Sequence, residues 1–250
     1  MGPQIRNSFT NIKGQTFDSV KELSFKKGEL FGNLGRYITE SHHEVSNFAY
    51  DIYDSHFGVY IYQDYKDSDI AYRIYKDFAE YNFNGYGDDK LIQKLQERQK
   101  YIYKTEFPTG VVTLDGKIIG QQIPFYPNCV TLLDYVKTNI NINPVDIYIK
   151  VLQLLQELFL NGIIYLDIHS RNFMIDLSSL DVKIIDFDSC YIQFDDTNLL
   201  KRQLCNYRKM VIFLNDILNA SSITGVFKEV DNFDACFEQL NEMSKILKKN

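Results

Sequence analysis

The stretch Gly162–Asp188 reads GIIYLDIHSRNFMIDLSSLDVKIIDFD, and it decides the fold of the chain. Near its end, the apolar run Val182–Ile185 has the length and composition of a short buried strand. An earlier run, Phe173–Ile175, is separated from it by the polar segment Asp176–Asp181. Two such runs around a polar turn predict a β-hairpin.

Three polar residues stand beside these apolar runs: Asp167, Asn172 and Asp186. The hairpin would return Asp186 to the neighbourhood of the other two, because its arms begin at Asn172 and end at Asp186. One carboxylate can then orient or deprotonate a nucleophile, while an amide and a second carboxylate hold Mg²⁺ through oxygen atoms. The sequence therefore predicts a phosphoryl-transfer site.

This stretch resembles the catalytic and metal-binding loops of the protein-kinase-like fold, where D-x-x-x-x-N is followed by D-F-G. The matching letters here are D-I-H-S-R-N, which begins at Asp167, and I-I-D-F-D, which contains Asp186. His169, at the third position of the first motif, is more similar to the aminoglycoside-phosphotransferase branch than to ordinary protein kinases. The resemblance is specific within residues 162–188 and only permissive elsewhere.

The resemblance implies an α+β, two-lobed protein-kinase-like fold. Its N-lobe would hold a five-stranded antiparallel sheet with one helix, and its C-lobe would be mainly helical. Residues 1–44 would form an N-terminal extension, residues 45–126 the N-lobe and residues 127–250 the C-lobe. ATP and Mg²⁺ are the cofactors that this family implies.

The resemblance also assigns roles to the residues of the stretch. Asp167 would orient a hydroxyl nucleophile and accept its proton, and Asn172 and Asp186 would ligate Mg²⁺. His169 would either line the substrate side or brace the loop by hydrogen bonds. Asp188, which replaces the glycine of D-F-G, would be a further metal-side carboxylate or a helix N-cap.

Three segments rich in Tyr, Ile and Val predict the first strands of the N-lobe: Asn47–Tyr53, Gly58–Tyr65 and Asp69–Lys76. The segment Asp54–Gly58 would be the loop over the ATP phosphates, with Gly58 as its glycine. Asp54 and His56 stand where the family has glycines. Backbone amides approach phosphate closely only where side chains are absent, so this loop departs from the family pattern.

The third of these strands aligns with the V-A-I-K strand of the family and places Arg73 at the lysine position. Arginine can pair bidentately with phosphate, but it is longer and planar and does not simply replace lysine. A shifted register would offer Lys76, which faces away from Arg73 because side chains alternate along a strand. Glu97, on the predicted helix Asp88–Tyr103, is the residue expected to pair with Arg73.

A hairpin completes the predicted sheet. Gly110–Leu114 and Lys117–Ile123 flank the dipeptide Asp115–Gly116, which is a strong hairpin signal. The following segment, Pro124–Asn128, is predicted to be a hinge whose backbone meets the adenine edge. Phe125 in this hinge is therefore counted among the nucleotide-binding residues.

The C-terminal half reads as helical. Asn143 and Pro144 have the character of N-cap and first residue of a helix that ends at Gly162 and leads into the catalytic loop. Two closing helices are predicted at Leu199–Asn219 and Phe233–Lys249. No A-P-E sequence follows Asp188, which favours a compact, atypical kinase over an ordinary one.

Composition narrows the class of protein further. A net charge of -6 and a pI near 5.3 argue against a nucleic-acid-binding body, which needs clustered cations. The 4 cysteines are widely spaced, without a C-x-x-C pair, so reduced thiols are expected. No apolar run approaches the roughly 18 residues of a membrane span, and the N-terminus lacks the apolar core of a signal peptide, so we expect a cytoplasmic protein.

The favoured function is an ATP- and Mg²⁺-dependent phosphotransferase acting on a hydroxyl acceptor. The alternative is a pseudokinase, a nucleotide-binding or scaffold module, which Arg73 and the altered phosphate loop favour. A third hypothesis is a metal-dependent hydrolase that uses the D-I-H and D-F-D residues as ligands. The acceptor stays open between a protein hydroxyl, a small-molecule alcohol and the transfer of a nucleotide instead of a phosphate.

Overall fold

The structure is a computed structural model, and the chain is an α+β protein with several sheets. The residues it describes are 4–6, 9–10, 16–17, 21–25, 36–41, 59–64, 67, 69–75, 89–114, 117–138, 143–192 and 197–248. The chain divides into two compact units. The first comprises Met1–Lys100 and Phe107–Pro127, and the second comprises Tyr101–Glu106 and Asn128–Asn250.

The first unit contains nine described strands and one described helix. Its strands are β1 (Gln4–Arg6), β2 (Phe9–Thr10), β3 (Thr16–Phe17), β4 (Lys21–Phe25), β5 (Arg36–Ser41), β6 (Val59–Gln63), β7 (Ile70–Tyr75), β8 (Gly110–Leu114) and β9 (Lys117–Pro124). Helix α1 (Asp89–Gln99) lies between β7 and β8 in the sequence. Seven strands form one sheet in the order β1-β4-β8-β9-β7-β6-β5, and β2 pairs with β3 separately.

Helix α1 and the hairpin β8–β9 confirm two of the sequence predictions for this unit. The helix buries Ile92 and Leu95, and Ile92 packs in one cluster with Val111 of β8 and Ile118 of β9. Residues three apart lie on one face of a helix, so a single apolar face meets the sheet.

The predicted five-stranded antiparallel sheet is wrong, because seven described strands form the sheet and one pair, β4 with β8, is parallel. Strands from the first 41 residues join both of its sides: β5 pairs antiparallel with β6, and β4 pairs parallel with β8. An edge strand has unpaired N–H and C=O groups that can bond a further strand. The sequence of the core strands does not indicate whether such a strand will be added. The predicted strand Asn47–Tyr53, the loop Asp54–Gly58, Lys76 and the turn Asp115–Gly116 lie outside the described residues.

The second unit is mainly helical, with short strands between its helices. Its elements are β10 (Cys129–Thr131), α2 (Leu132–Thr138), α3 (Pro144–Leu160), β11 (Ile163–Tyr165), β12 (Phe173–Asp176), β13 (Val182–Ile184), β14 (Cys190–Ile192), α4 (Thr197–Ile217), α5 (Ser221–Thr224) and α6 (Phe233–Leu247). One sheet has the order β10-β12-β13, and β11 pairs with β14 in another. The predicted hairpin is thus confirmed as β12–β13, with Phe173 opposite Ile184.

Helix α3 begins and ends where the sequence predicts. The Oδ1 atom of Asn143 accepts a hydrogen bond of 3.0 Å from the Val145 amide, and Pro144 begins the helix. Gly162 follows its last turn with a φ of 73°, a conformation that glycine adopts without steric cost. The two closing helices are also confirmed as α4 and α6, each ending two residues before its predicted end. No helix in the described part of the chain is long and apolar enough to span a membrane.

Candidate active site

The loop between β11 and β12 carries Asp167 and Asn172, and a pair of hydrogen bonds joins these residues. The Nδ2 atom of Asn172 donates to the Asp167 carbonyl oxygen at 3.0 Å and to its carboxylate Oδ2 at 2.9 Å. Asn172 is buried, while 43% of the Asp167 side chain is exposed. The Asp167 carboxylate is therefore hydrogen-bonded by Asn172 and still accessible to solvent.

His169 makes three contacts inside the same loop. Its carbonyl oxygen accepts a bond of 3.0 Å from the Asn172 amide, and its Nδ1 atom accepts one of 3.3 Å from the Arg171 amide. Its Nε2 atom lies 3.6 Å from Asp167 Oδ2, which is beyond hydrogen-bond length. The sequence left two roles open for His169: lining the substrate side, or bracing the loop by hydrogen bonds. These contacts are of the second kind.

Asp186 reaches this loop through the hairpin. The Ile185 amide donates to the carbonyl oxygen of Asn172 at 2.9 Å, which extends the β12–β13 pairing by one position. Asp186 follows directly, with φ 62° and ψ 74°. A residue other than glycine pays on the order of 1–3 kcal/mol for such a conformation, and residues of this kind cluster at functional sites.

Tyr165, two residues before Asp167, interacts with the same region of the chain. Its buried hydroxyl donates to the carbonyl oxygen of Ile185 at 3.0 Å, immediately before Asp186. Burial holds the pKa of Tyr165 well above its usual value, and the negative charges of Asp186 and Asp167 raise it further. The hydrogen bonds of Asn172, to the Asp167 carboxylate and to the residue before Asp186, place these residues in one region of the second unit.

Cys190 on β14 gives a second indication of the same convergence. It lies opposite Tyr165 in the β11–β14 pair. Burial raises the pKa of its thiol, and the carboxylates of Asp188, Asp186 and Asp167 raise it further. The negative charges of three carboxylates thus act on this one thiol.

The oxygen atoms of this cluster suit Mg²⁺ that also binds phosphate. The Nδ2 atom of Asn172 is a donor and bonds Asp167 twice, so Oδ1 is the atom of that amide that can coordinate a cation. With the Asp186 carboxylate it offers two oxygen ligands, and Mg²⁺ usually takes one or two carboxylates together with phosphates and water. Among the described residues no group of three or more His, Cys, Asp or Glu side chains could hold a metal by itself.

The remaining predicted residues belong to the first unit. Arg73 is half-buried in the middle of β7, opposite Ile61 and Gln121. Glu97 is exposed on α1, and the Phe125 amide donates to the carbonyl oxygen of Asp69 at 2.7 Å. The predicted pair of Arg73 with Glu97 and the nucleotide contacts of Phe125 stay predictions. Gly58 lies outside the described residues.

Two polar residues of α4 that sequence reasoning missed hold the strand before Asp167. The Oε1 atom of Gln203 accepts the Tyr165 amide at 3.0 Å, and the Nδ2 atom of Asn206 donates to the Leu166 carbonyl oxygen at 2.8 Å. A signal was present in the sequence. Gln203 precedes Tyr207 by four residues and therefore falls on the apolar face of the helix, where a polar side chain is unusual.

No protein-family model and no curated protein matches the chain. The functional assignment depends on the residues, distances and charges of the site.

Proposed function

We propose that the protein is an ATP- and Mg²⁺-dependent phosphotransferase, similar to the protein-kinase-like fold, that acts on a hydroxyl acceptor. One observation carries the proposal. The Asn172 side chain fixes the Asp167 carboxylate, while the Asn172 carbonyl group bonds the residue before Asp186. A single residue thus links the group suited to proton transfer with the group suited to cation binding.

In the proposed reaction Asp167 orients the acceptor hydroxyl and takes its proton as the hydroxyl oxygen bonds to the γ-phosphorus of ATP. The bond from that phosphorus to the β-phosphate oxygen breaks, and ADP leaves with the electron pair. Asp167 suits this role because its carboxylate is held at Oδ2 by Asn172 and is partly exposed. Positioning of this kind supplies most of the catalysis in phosphoryl transfer.

Asn172 Oδ1 and the Asp186 carboxylate are the proposed ligands of the metal ion. Bound Mg²⁺ would neutralise charge on the phosphates of ATP. The left-handed backbone of Asp186 supports this assignment, because the fold accepts a strained residue at the position that presents the carboxylate.

The first unit supports the proposal through its order of elements. Strands β6, β7, β9 and β8 are antiparallel neighbours, and α1 lies between β7 and β8 in the chain, which agrees with four of the five strands that the resemblance implies. We assign Arg73 to the phosphates with Glu97 as its partner, and Gly58 and Phe125 to the nucleotide. We also propose a cytoplasmic location.

A nucleotide-binding module without catalysis is the second candidate. The observation that favours it is Arg73 in the middle of β7, where the family resemblance implies a lysine. Arginine holds phosphate in a different geometry from lysine, so binding can persist where the reactive alignment is lost.

The test measures binding and turnover on the same preparation. Thermal unfolding is followed with ATP, with Mg²⁺ and with both, and transfer of radiolabelled γ-phosphate to water, to the protein itself and to a panel of alcohols is measured in parallel. An enzyme is expected to show two results: a rise in Tm that requires both ATP and Mg²⁺, and Mg²⁺-dependent transfer of the phosphate. The binding module gives the rise in Tm alone. Absence of both effects would reject the proposed function.

A further inference from the structure

Two buried amide side chains on α4 are each only half satisfied by the described residues. Gln203 and Asn215 are both fully buried. The oxygen of each accepts one hydrogen bond: Gln203 Oε1 from the Tyr165 amide at 3.0 Å, and Asn215 Oδ1 from the Tyr148 hydroxyl at 3.2 Å. The Gln203 Nε2 and Asn215 Nδ2 atoms have no partner within the described part of the chain.

A buried amide without a partner lowers stability, since its desolvation is not repaid by a hydrogen bond. An apolar side chain at position 203 would avoid that cost for the Nε2 atom. It would also leave the Tyr165 amide without its acceptor. The two effects on stability oppose each other, so stability alone gives little reason for a glutamine at this position.

The contacts of Gln203 give a different reason. Tyr165 is two residues before Asp167, and its hydroxyl bonds the carbonyl oxygen of Ile185, one residue before Asp186. One turn along α4, Asn206 Nδ2 bonds the carbonyl oxygen of Leu166, next to Asp167. Two amides of one helix therefore fix consecutive backbone positions at the entrance of the catalytic loop.

From this geometry we infer that Gln203 is a positioning residue, which fixes Asp167 and Asp186 through the backbone and side chain of Tyr165. Asn206 reinforces it at Leu166. The inference rests on the proposed phosphotransferase function and adds to it a support built into α4. Small displacements at a reacting group reduce rate strongly, because phosphoryl transfer depends on alignment.

The chain offers a matched control on the same helix. Asn215 is as buried as Gln203 and has the same half-satisfied amide, but its described partner is Tyr148 of α3 and not the catalytic loop. Gln203→Met and Asn215→Leu therefore remove comparable groups at the two positions. Gln203→Glu retains an acceptor for the Tyr165 amide and serves as the conservative variant.

The experiment compares these variants in Mg²⁺-dependent ATP turnover, in Tm and in hydrogen exchange of the Tyr165 and Leu166 amides. Gln203→Met is expected to lower kcat roughly 10-fold to 100-fold with little change in KM, and to speed exchange at Tyr165. Asn215→Leu is expected to change Tm while keeping kcat and that exchange rate as in the wild type. Gln203→Glu is expected to recover part of the lost kcat.

The results distinguish a failure of the role inferred for Gln203 from a failure of the proposed phosphotransferase function. An active wild type whose Gln203→Met variant keeps full kcat overturns the inference, as does an equal loss in Asn215→Leu. A wild type without turnover rejects the proposed function, and unchanged exchange at Tyr165 in Gln203→Met then rejects the anchoring contact separately. If Gln203→Met fails to fold, Asn206→Leu, at a half-buried position, replaces it, and full kcat in that variant counts against the inference.

Discussion

Among single residues, Asn172 links the proposed proton acceptor to the proposed metal ligands. The Asn172 Nδ2 atom donates twice to Asp167, and the Asn172 carbonyl group bonds the Ile185 amide. The side chain that would coordinate a cation thus also orients the group that would take the proton. Binding and chemistry should nevertheless be separable by mutation, because the roles that we propose for Asp167 and Asp186 differ.

Asp167→Asn is expected to separate these roles most cleanly. The variant keeps the shape of the side chain but cannot accept the proton of the acceptor hydroxyl, so kcat should fall at least ~100-fold. Affinity for ATP with Mg²⁺, measured by titration calorimetry, should stay near that of the wild type. A variant that loses affinity but keeps its turnover number would show that Asp167 acts in binding and not in the chemical step.

Arg73 is tested by two substitutions that differ in charge. Arg73→Ala is expected to raise the KM for ATP and to lower kcat, because the phosphates lose a neutralising charge. Arg73→Lys is expected to preserve activity if the nucleotide is held as in the family, and to resemble Ala if the site requires the planar guanidinium. Activity that is indifferent to both changes would contradict the placement of Arg73 at the phosphates.

At the scale of elements, Thr105 completes the outer edge of β13. Its Oγ1 atom donates to the Ile184 carbonyl oxygen at 3.1 Å and accepts from the Ile184 amide at 3.0 Å. One buried hydroxyl thereby satisfies both backbone groups of the residue two positions before Asp186. A strand edge needs such a cover when no further strand pairs with it.

Thr105→Val should therefore destabilise the second unit. Valine has the shape of threonine but leaves both backbone groups of Ile184 unpaired, at a cost of about 1–3 kcal/mol for each buried group. Thr105→Ser keeps the hydroxyl and should lose much less, since only a methyl group is removed. The free energy of unfolding in urea measures both variants, and equal stability of Val and Ser at this position would contradict the role of the hydroxyl.

In the first unit, the pairing of β7 with β9 requires glycine at position 120. A Cβ atom there would overlap the carbonyl oxygen of Arg73 and lie 2.8 Å from Ile74 Cδ1. Gly120→Ala is expected to lower Tm clearly, because backbone atoms of a central strand cannot move aside cheaply. Gly225→Ala is the control, since a Cβ atom at that position meets nothing within 4 Å. A Gly120→Ala protein as stable as Gly225→Ala would show that the two strands are not so close.

The sequence sufficed for elements whose signals are local. Asn143 and Pro144 predict the start of α3, and the turn between β12 and β13 predicts the hairpin that returns Asp186 to Asn172. Pairing between distant segments was not predictable in this way. Strand β4 pairs with β8, and β5 pairs with β6, although other residues separate the partners in the sequence. The sequence of a single strand does not determine which strand it will pair with.

The site shows the same division between local and distant information. Asp167, Asn172 and Asp186 could be predicted because they stand within one short stretch and each follows or precedes an apolar run. Gln203 supports that stretch from 36 positions beyond Asp167, on a helix that the sequence reading treated only as a closing element. A polar residue on an apolar helix face indicates a buried hydrogen bond, but only the folded structure identifies the partner.

At the scale of the whole molecule, the candidate catalytic and metal-binding side chains all belong to the second unit. The segment Tyr101–Glu106, which includes Thr105, joins that unit although the chain on either side belongs to the first. The residues assigned to the nucleotide, Arg73 and Phe125 among them, belong to the first unit. The proposed function therefore draws on residues of both units, and its test uses a protein that contains both.

The most direct test replaces the residue on which the metal role depends. In Asp186→Ala the chain should remain folded, because Asp186 is only half-buried, although alanine adopts the left-handed backbone less readily than aspartate. ATP turnover is measured for this variant and for the wild type at matched Mg²⁺ concentrations. The account predicts Mg²⁺-dependent turnover in the wild type and its loss in Asp186→Ala, together with the loss of Mg²⁺-dependent ATP binding. Turnover that is unchanged in Asp186→Ala would contradict the proposed function outright.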